Sequence, residues 1–135
     1  MRVTVAGCDH VVVSDGVLVR ELPDGGHEFV LEHPVLSRLS IDGRVTFVFG
    51  PTEVTVSGPF TLEVDGVGHL LDPRCTESLA PVLATYPGTA RWLWASSDGV
   101  LHLTLMQGQH LVVAAPLEGP AWTVGGSTFG ARPPR

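Results

Sequence analysis

Short segments in which apolar and polar residues alternate make up most of this chain. Alternation of this kind places successive side chains on opposite faces of an extended backbone, so it predicts half-buried β-strands. In residues 44–49, for example, Val45, Phe47 and Phe49 share one face. The segments that we predict as strands are 2–6, 10–13, 17–22, 27–32, 35–41, 44–49, 53–57, 60–65, 90–96, 100–105, 110–114 and 121–125.

Turn-forming residues separate these segments, and between two of them lies a stretch whose apolar residues recur at helical spacing. Dipeptides such as Asp42-Gly43 and Asp98-Gly99 supply the positive φ angles that tight hairpins need. Residues 78–86 instead carry apolar side chains at helical spacing, with Ser78 as a plausible N-cap and Pro81 in the first turn. The pattern therefore predicts antiparallel strands with one short helix.

The two halves of the chain resemble each other. Residues 35–65 and 90–125 each run as strand, Asp-Gly turn, strand, glycine turn, strand, proline and strand. We therefore predict a single mainly-β (α+β) domain over residues 1–135, in which two duplicated antiparallel β-meanders form a sheet or a partly open barrel. Helix 78–86 joins the two copies, and residues 126–135 form an irregular tail.

The composition and net charge of the chain limit the compartments and the classes of partner that we expect for it. Of the 135 residues, 44% are hydrophobic and 16% are charged, which indicates a packed domain. The net charge of −6 makes nucleic acid and membrane lipid poor partners and would suit a basic protein. No apolar run could span a bilayer, and the first residues lack the apolar core of a secretory signal. We therefore expect a cytoplasmic protein in which Cys8 and Cys75 stay as free thiols.

The second half of the chain, residues 78–126, resembles a family of small uncharacterised actinobacterial proteins. The resemblance rests on five features, namely Leu79-Ala80-Pro81-Val82-Leu83, Asp98-Gly99, Leu101-His102-Leu103, Gln107-Gly108, and Pro120-Ala121-Trp122 followed by Gly125-Gly126. It implies an actinobacterial source and a β-rich fold. It implies no activity, because the family has none to carry over.

The tryptophans are the most distinctive candidates for a contact surface. Trp92 and Trp94 are two residues apart in a predicted strand and so share a face, with Arg91, Leu93 and Ala95 on the other. We expect at least two of the three tryptophans, counting Trp122, to fill the core. If one sheet face is open, Arg91 and Trp94 are the pair that we expect at an interface.

The histidines and acidic residues form no recognisable catalytic or metal motif. His69 and Asp72 precede the helix in a predicted loop, where function is common. A hairpin turn centred on Gln107-Gly108 would place His110 opposite Leu105, so that its ring would not converge with that of His102. Cys8-Asp9-His10 resembles a catalytic or metal-binding cluster, but we interpret it as a turn or strand-edge segment. We predict no catalytic, cofactor-binding or metal-binding residues.

Three functions remain open, in this order. The first is a non-catalytic protein–protein interaction module that covers a basic partner, as immunity proteins cover nuclease toxins. The second is a small-molecule-binding protein or enzyme, with a site in the barrel mouth or between the halves and with His69, Asp72 or His102 as its polar groups. The third is a structural component that self-associates through free strand edges into a homo-oligomer.

Overall fold

A computed structural model describes residues 17–114, 121–125 and 127–128, and these contain twelve short strands and one 3-10 helix. The helix spans Thr76–Thr85. The strands are β1 (Val17–Glu21), β2 (His27–Leu31), β3 (Arg38–Ile41), β4 (Val45–Phe49), β5 (Thr52–Val56), β6 (Phe60–Val64), β7 (Val67–Leu71), β8 (Ala90–Ala95), β9 (Leu101–Leu105), β10 (His110–Val113), β11 (Trp122–Val124) and β12 (Ser127–Thr128).

The strands form two antiparallel sheets. The seven-stranded sheet has the order β1-β2-β8-β9-β10-β6-β7, and the five-stranded sheet has the order β12-β11-β5-β4-β3. Buried side chains from both sheets belong to one hydrophobic cluster, so the core lies between them. The mainly-β prediction with one short helix is confirmed, in an arrangement of two sheets without a closed barrel.

The two halves of the chain follow the same path in opposite sheets. Strands β3, β4 and β5 form a meander in the five-stranded sheet, and the β6–β7 hairpin then crosses to pair with β10. Strands β8, β9 and β10 form a meander in the seven-stranded sheet, and β11–β12 then crosses to pair with β5. That the halves arose by duplication stays a prediction.

Period-two alternation explains which side chains reach the core. Val45, Phe47 and Phe49 are all fully buried, as the pattern in β4 predicts. In β9 the residues Leu101, Leu103 and Leu105 point inward and leave the residues between them on the outer face. A sheet that has one face in the core and one outside needs this pattern.

The helix differs in type and bounds from the prediction. It begins at Thr76 rather than at Ser78, and the hydroxyl of Ser78 donates a hydrogen bond to the carbonyl of Cys75. Pro81 therefore lies inside the segment, where it lacks an N–H to donate and its ring crowds the carbonyl four residues earlier in an α-helix. This disfavours α-helical geometry there. In the part of the chain described, no helix has the length and hydrophobicity to cross a membrane.

Strand β7 is the main element that the pattern missed. Its sequence contains Gly68 and does not alternate, but it forms a hairpin with β6 over Asp65-Gly66, where both residues have positive φ. Asp-Gly is the dipeptide that two-residue hairpin turns prefer. Consequently His69 lies in an edge strand rather than in a loop. Self-association through such an edge, where Leu70 is 79% exposed, stays a prediction.

Several predictions fall on residues outside those described. These are the strands 2–6 and 10–13, the Cys8-Asp9-His10 segment and most of the tail. Within the tail, Ser127 and Thr128 pair with Val124 and Thr123 as β12, although an irregular segment was expected. Cys75 is exposed and unpaired.

His27 interrupts the apolar lining of the core. Its side chain is 3% exposed, and among the described residues its Nε2 has no hydrogen-bond partner. Burial lowers the pKa of His27, and the carboxylate of Glu21 opposes that effect only in part. The imidazole is therefore held in its neutral form inside the fold.

We expect the free energy of unfolding to fall at acidic pH because His27 is buried in its neutral form. The unfolded chain takes up a proton near the ordinary pKa of 6.5, whereas folded His27 resists it, so the free energy of unfolding falls as the pH drops below that value. Denaturant titrations between about pH 7.5 and about pH 5 should show a shallower slope for His27→Leu than for the wild type. The exposed His33, replaced by glutamine, is the matched control. Equal slopes for His27→Leu and the wild type would contradict this assignment.

Candidate functional site

Four aromatic rings lie on the outer face of the seven-stranded sheet, and we call them the aromatic row: Trp92, Trp94, His102 and His110. In β8 the side chains of Leu93 and Ala95 are buried in the core, which places the two tryptophans on the opposite face. The same alternation turns His102 outward in β9 and His110 outward in β10. Three adjacent strands thus contribute to one surface.

The rings of the aromatic row stack one against the next. The centroids of Trp92 and Trp94 are 5.1 Å apart with an angle of 26° between the planes. Trp94 and His102 are 4.1 Å apart and nearly parallel at 5°, and His102 and His110 are 5.6 Å apart at 23°. Each of the two inner rings, Trp94 and His102, is therefore stacked against a neighbour on both sides.

The turn between β9 and β10 decides that His110 joins the row. The backbone N–H of Leu105 bonds to the carbonyl of Gln109 at 2.9 Å, so the loop has three residues, 106–108, rather than two. Gly108 closes it with a φ of 103°, the conformation that three-residue hairpin loops require at this position. His110 therefore pairs with Thr104 and not with Leu105. The prediction that the two rings diverge is wrong, since a shift of one residue reverses the face.

Charged side chains lie on the two strands that flank the aromatic row. Glu28 of β2 is the strand partner of Trp94, and it forms a 2.7 Å ion pair with Arg20 of β1. At the other end, Glu63 of β6 is the strand partner of His110. Partial burial lowers the pKa of His102, the neighbouring His110 lowers it further, and the carboxylate of Asp98 raises it. The neutral form of the His102 imidazole is thereby favoured.

A cleft adjoins Trp92 where β2 and β8 separate. These strands pair only at His27–Ala95 and Glu28–Trp94. Beyond this gap, the backbone N–H of Ala90 in β8 bonds to the carbonyl of Pro34, which follows β2, at 2.8 Å. The volume of this half-open cleft is about 160 Å³. Polar and apolar groups share its lining, which consists of Glu28, Phe29, Val30, Leu31, Pro34, Ala90, Arg91, Trp92 and Leu93.

Arg91 lines this cleft because β8 is irregular at that point. The register with β9 shifts between Ala90 and Trp92, which leaves Arg91 as an extra residue in the strand. Strict alternation would have placed Arg91 on the core face with Leu93, but its side chain is exposed. The bulge therefore places Arg91 in the lining of the cleft together with Trp92.

The structure brings together three of the five residues that the sequence suggested as contacts. Trp94 and His102 are stacked in the row, and Arg91 lies beside it. His69 is the strand partner of the buried Leu62, which places it on the opposite face of the sheet from His102.

Asp72 also lies away from the row. It forms a 3.0 Å ion pair with Arg74, and the hydrogen bond from that guanidinium lowers the pKa of Asp72. Both groups are thereby engaged in a local turn after β7. His69, Asp72 and His102 therefore do not converge on a common pocket.

The third tryptophan has a structural role. Trp122 is 1% exposed, and its indole N–H donates a 3.0 Å hydrogen bond to the carbonyl of Gly99 in the β8–β9 turn. Its ring meets Phe29 edge-on with the centroids 6.2 Å apart. Only this tryptophan fills the core, whereas at least two were expected to do so, because β8 presents Trp92 and Trp94 on its outer face.

The aromatic row contains one pair of imidazoles beside its two indole rings. In the described ranges, no group of three or more histidine, cysteine, aspartate or glutamate side chains is arranged to hold a metal ion. The only pair of titratable side chains within the row is that of His102 and His110, whose Nδ1 and Nε2 atoms are 3.5 Å apart.

Comparison with known proteins identifies a family for this chain but no activity. No curated protein and no solved structure matches this chain. A family model does match, and it covers residues 27–131, which include every strand except β1, together with the aromatic row and the cleft. The match extends well beyond the second half of the chain, to which the resemblance in motifs was confined. The chain therefore belongs to the family of unknown function DUF6188.

Proposed function

We propose that this protein is a non-catalytic protein–protein interaction module that binds its partner through the aromatic row. The observation that supports this proposal most strongly is a stacked row of four rings on the outer face of a sheet, with Trp92 43% exposed at its end. Tryptophan is the residue most enriched among those that dominate binding energy at protein interfaces.

The stacking favours binding because it lowers the entropic cost of fixing side chains when a partner associates. A side chain that becomes fixed on association typically costs about 0.5–1.5 kcal/mol. The indole of Trp94 is already held between Trp92 and His102, so it has little freedom left to lose.

The size of the cleft favours a protein partner over a small molecule. Small-molecule sites usually enclose about 300–1,000 Å³, and the cleft beside Trp92 encloses about 160 Å³. A cavity of about 150 Å³ holds one benzene molecule. The cleft is therefore of the right size for one side chain of the partner, inserted next to Trp92 between Glu28 and Arg91.

Charge supports a basic partner. The chain carries a net charge of −6, and no lysine contributes to it. Charge of opposite sign on the partner would speed encounter and select against acidic competitors. An immunity-like role, in which this domain covers a basic toxin, is consistent with these features. The absence of lysine supports a source with a GC-rich genome, such as an actinobacterium, and we propose that the protein acts in the cytoplasm.

Capture from a lysate of the source organism tests this proposal. We expect a specific protein to be retained by the wild type and to be reduced at least about tenfold by Trp92→Ala/Trp94→Ala, because that pair removes the exposed end of the row. Quantitative mass spectrometry measures the retained proteins. The matched control is Leu83→Ala/Tyr86→Ala, which removes exposed apolar side chains from the helix region instead.

Two checks decide whether a loss of partner capture can be assigned to the aromatic row. The row variant must unfold at the same denaturant concentration as the wild type within error, so that any loss reports on the surface. A partner that is retained equally by the row variant, or that is lost only with the helix variant, would show that the aromatic row is not the docking surface.

A further inference from the structure

His102 and His110 occupy diagonal positions on neighbouring strands. His102 is paired with Val112, and His110 is paired with Thr104, so the two imidazoles approach each other across the β9–β10 hairpin. The distance between His102 Nδ1 and His110 Nε2 is 3.5 Å. Two ring nitrogens that bind one tetrahedral ion at about 2.0–2.1 Å each are separated by about 3.4 Å.

The surroundings hold these imidazoles in place. His102 is stacked against Trp94 at 4.1 Å, and the three-residue loop that ends at Gly108 fixes the register of His110. Metal ions bind the neutral imidazole through a ring nitrogen with a free lone pair. In the absence of an ion, the two nitrogens are close enough to share a hydrogen bond.

We propose that His102 and His110 form a two-imidazole chelate for a late first-row divalent ion, Cu²⁺, Ni²⁺ or Zn²⁺. Imidazole suits these ions, whereas Mg²⁺ and Ca²⁺ require oxygen ligands. No third histidine, cysteine or carboxylate of the described residues is placed to complete the site, so water fills the other positions. Glu63 is the strand partner of His110 and lies on the same face of the sheet.

Fluorescence gives a direct readout because Trp94 touches the site. A paramagnetic Cu²⁺ ion on the imidazoles would lie close to the Trp94 indole and quench its emission. We expect one equivalent of Cu²⁺ to quench the full-length protein saturably and EDTA to restore the signal. Calorimetry with Zn²⁺ should give the same stoichiometry, and Mg²⁺ should give no heat.

Single substitutions decide the assignment. Replacing His110 by glutamine removes one of two ligands, so the affinity for Cu²⁺ and for Zn²⁺ should fall by more than about tenfold. His33→Gln, on an exposed loop, should bind like the wild type. Unchanged affinity in His110→Gln, or no saturable binding by the wild type, would overturn the proposal. Neither result bears on partner capture, because metal binding does not depend on the interaction role.

Discussion

Replacing Trp122 by alanine is expected to lower the free energy of unfolding by about 3–5 kcal/mol. Trp122 is the largest of the fully buried side chains described, and it packs against Phe29 across the core. Its indole N–H also bonds to the carbonyl of Gly99, which ties the five-stranded sheet to a turn of the seven-stranded sheet. Because small domains are stable by about 5–15 kcal/mol, this change should leave little margin.

Two further variants separate the causes of that loss. Trp122→Phe keeps a ring in the core but leaves the Gly99 carbonyl without its donor, which should cost about 1–3 kcal/mol beyond the smaller volume. Trp92→Ala, at the exposed end of the aromatic row, should cost less than about 1 kcal/mol. Denaturant titration measures all three. A Trp122→Ala protein within about 1 kcal/mol of the wild type would show that this contact between the sheets is unimportant.

The largest effect on function is expected from Trp94→Ala. Trp94 lies inside the aromatic row, so its removal deletes one contact surface and also releases His102 from its stack. With the captured partner purified, we expect the dissociation constant to rise at least about 30-fold, which corresponds to about 2 kcal/mol. Calorimetry or surface-immobilised binding measures it.

One matched control for this prediction substitutes a residue of the aromatic row, and the other substitutes a residue outside it. Trp94→Phe retains a ring between Trp92 and His102 and should keep part of the affinity, whereas Tyr86→Ala removes an exposed aromatic elsewhere and should keep all of it. An affinity for Trp94→Ala that stays within about threefold of the wild type would remove Trp94 from the interface.

Much of the fold could be predicted because it depends on local pattern. Alternation in β4 and β9 identifies which side chains enter the core, and those side chains are buried. Strand β7 was missed because Gly68 breaks its pattern, although Asp65-Gly66 carried the signal for a hairpin. The division of the strands between two sheets depends on pairings distant in sequence, such as β6 with β10, and alternation does not determine these.

The candidate site was predictable only in part. The spacing of Trp92 and Trp94 placed them on one face, but which face was open depended on packing. The position of His110 depended on one residue in a turn: a two-residue loop separates the imidazoles and a three-residue loop stacks them. Gly108 as the third loop residue was the available signal. The bulge at Arg91 has no comparable mark in the sequence.

The three tryptophans allow one decisive measurement of the docking surface. In a nitrogen-15 NMR titration with the captured partner, each indole N–H reports on a different place: Trp92 and Trp94 on the aromatic row, and Trp122 on the core. We predict that the resonances of Trp92 and Trp94 shift or broaden while that of Trp122 stays in place. Unmoved Trp92 and Trp94 signals, together with shifts confined to the five-stranded sheet or to the edge strand β7, would contradict the proposal.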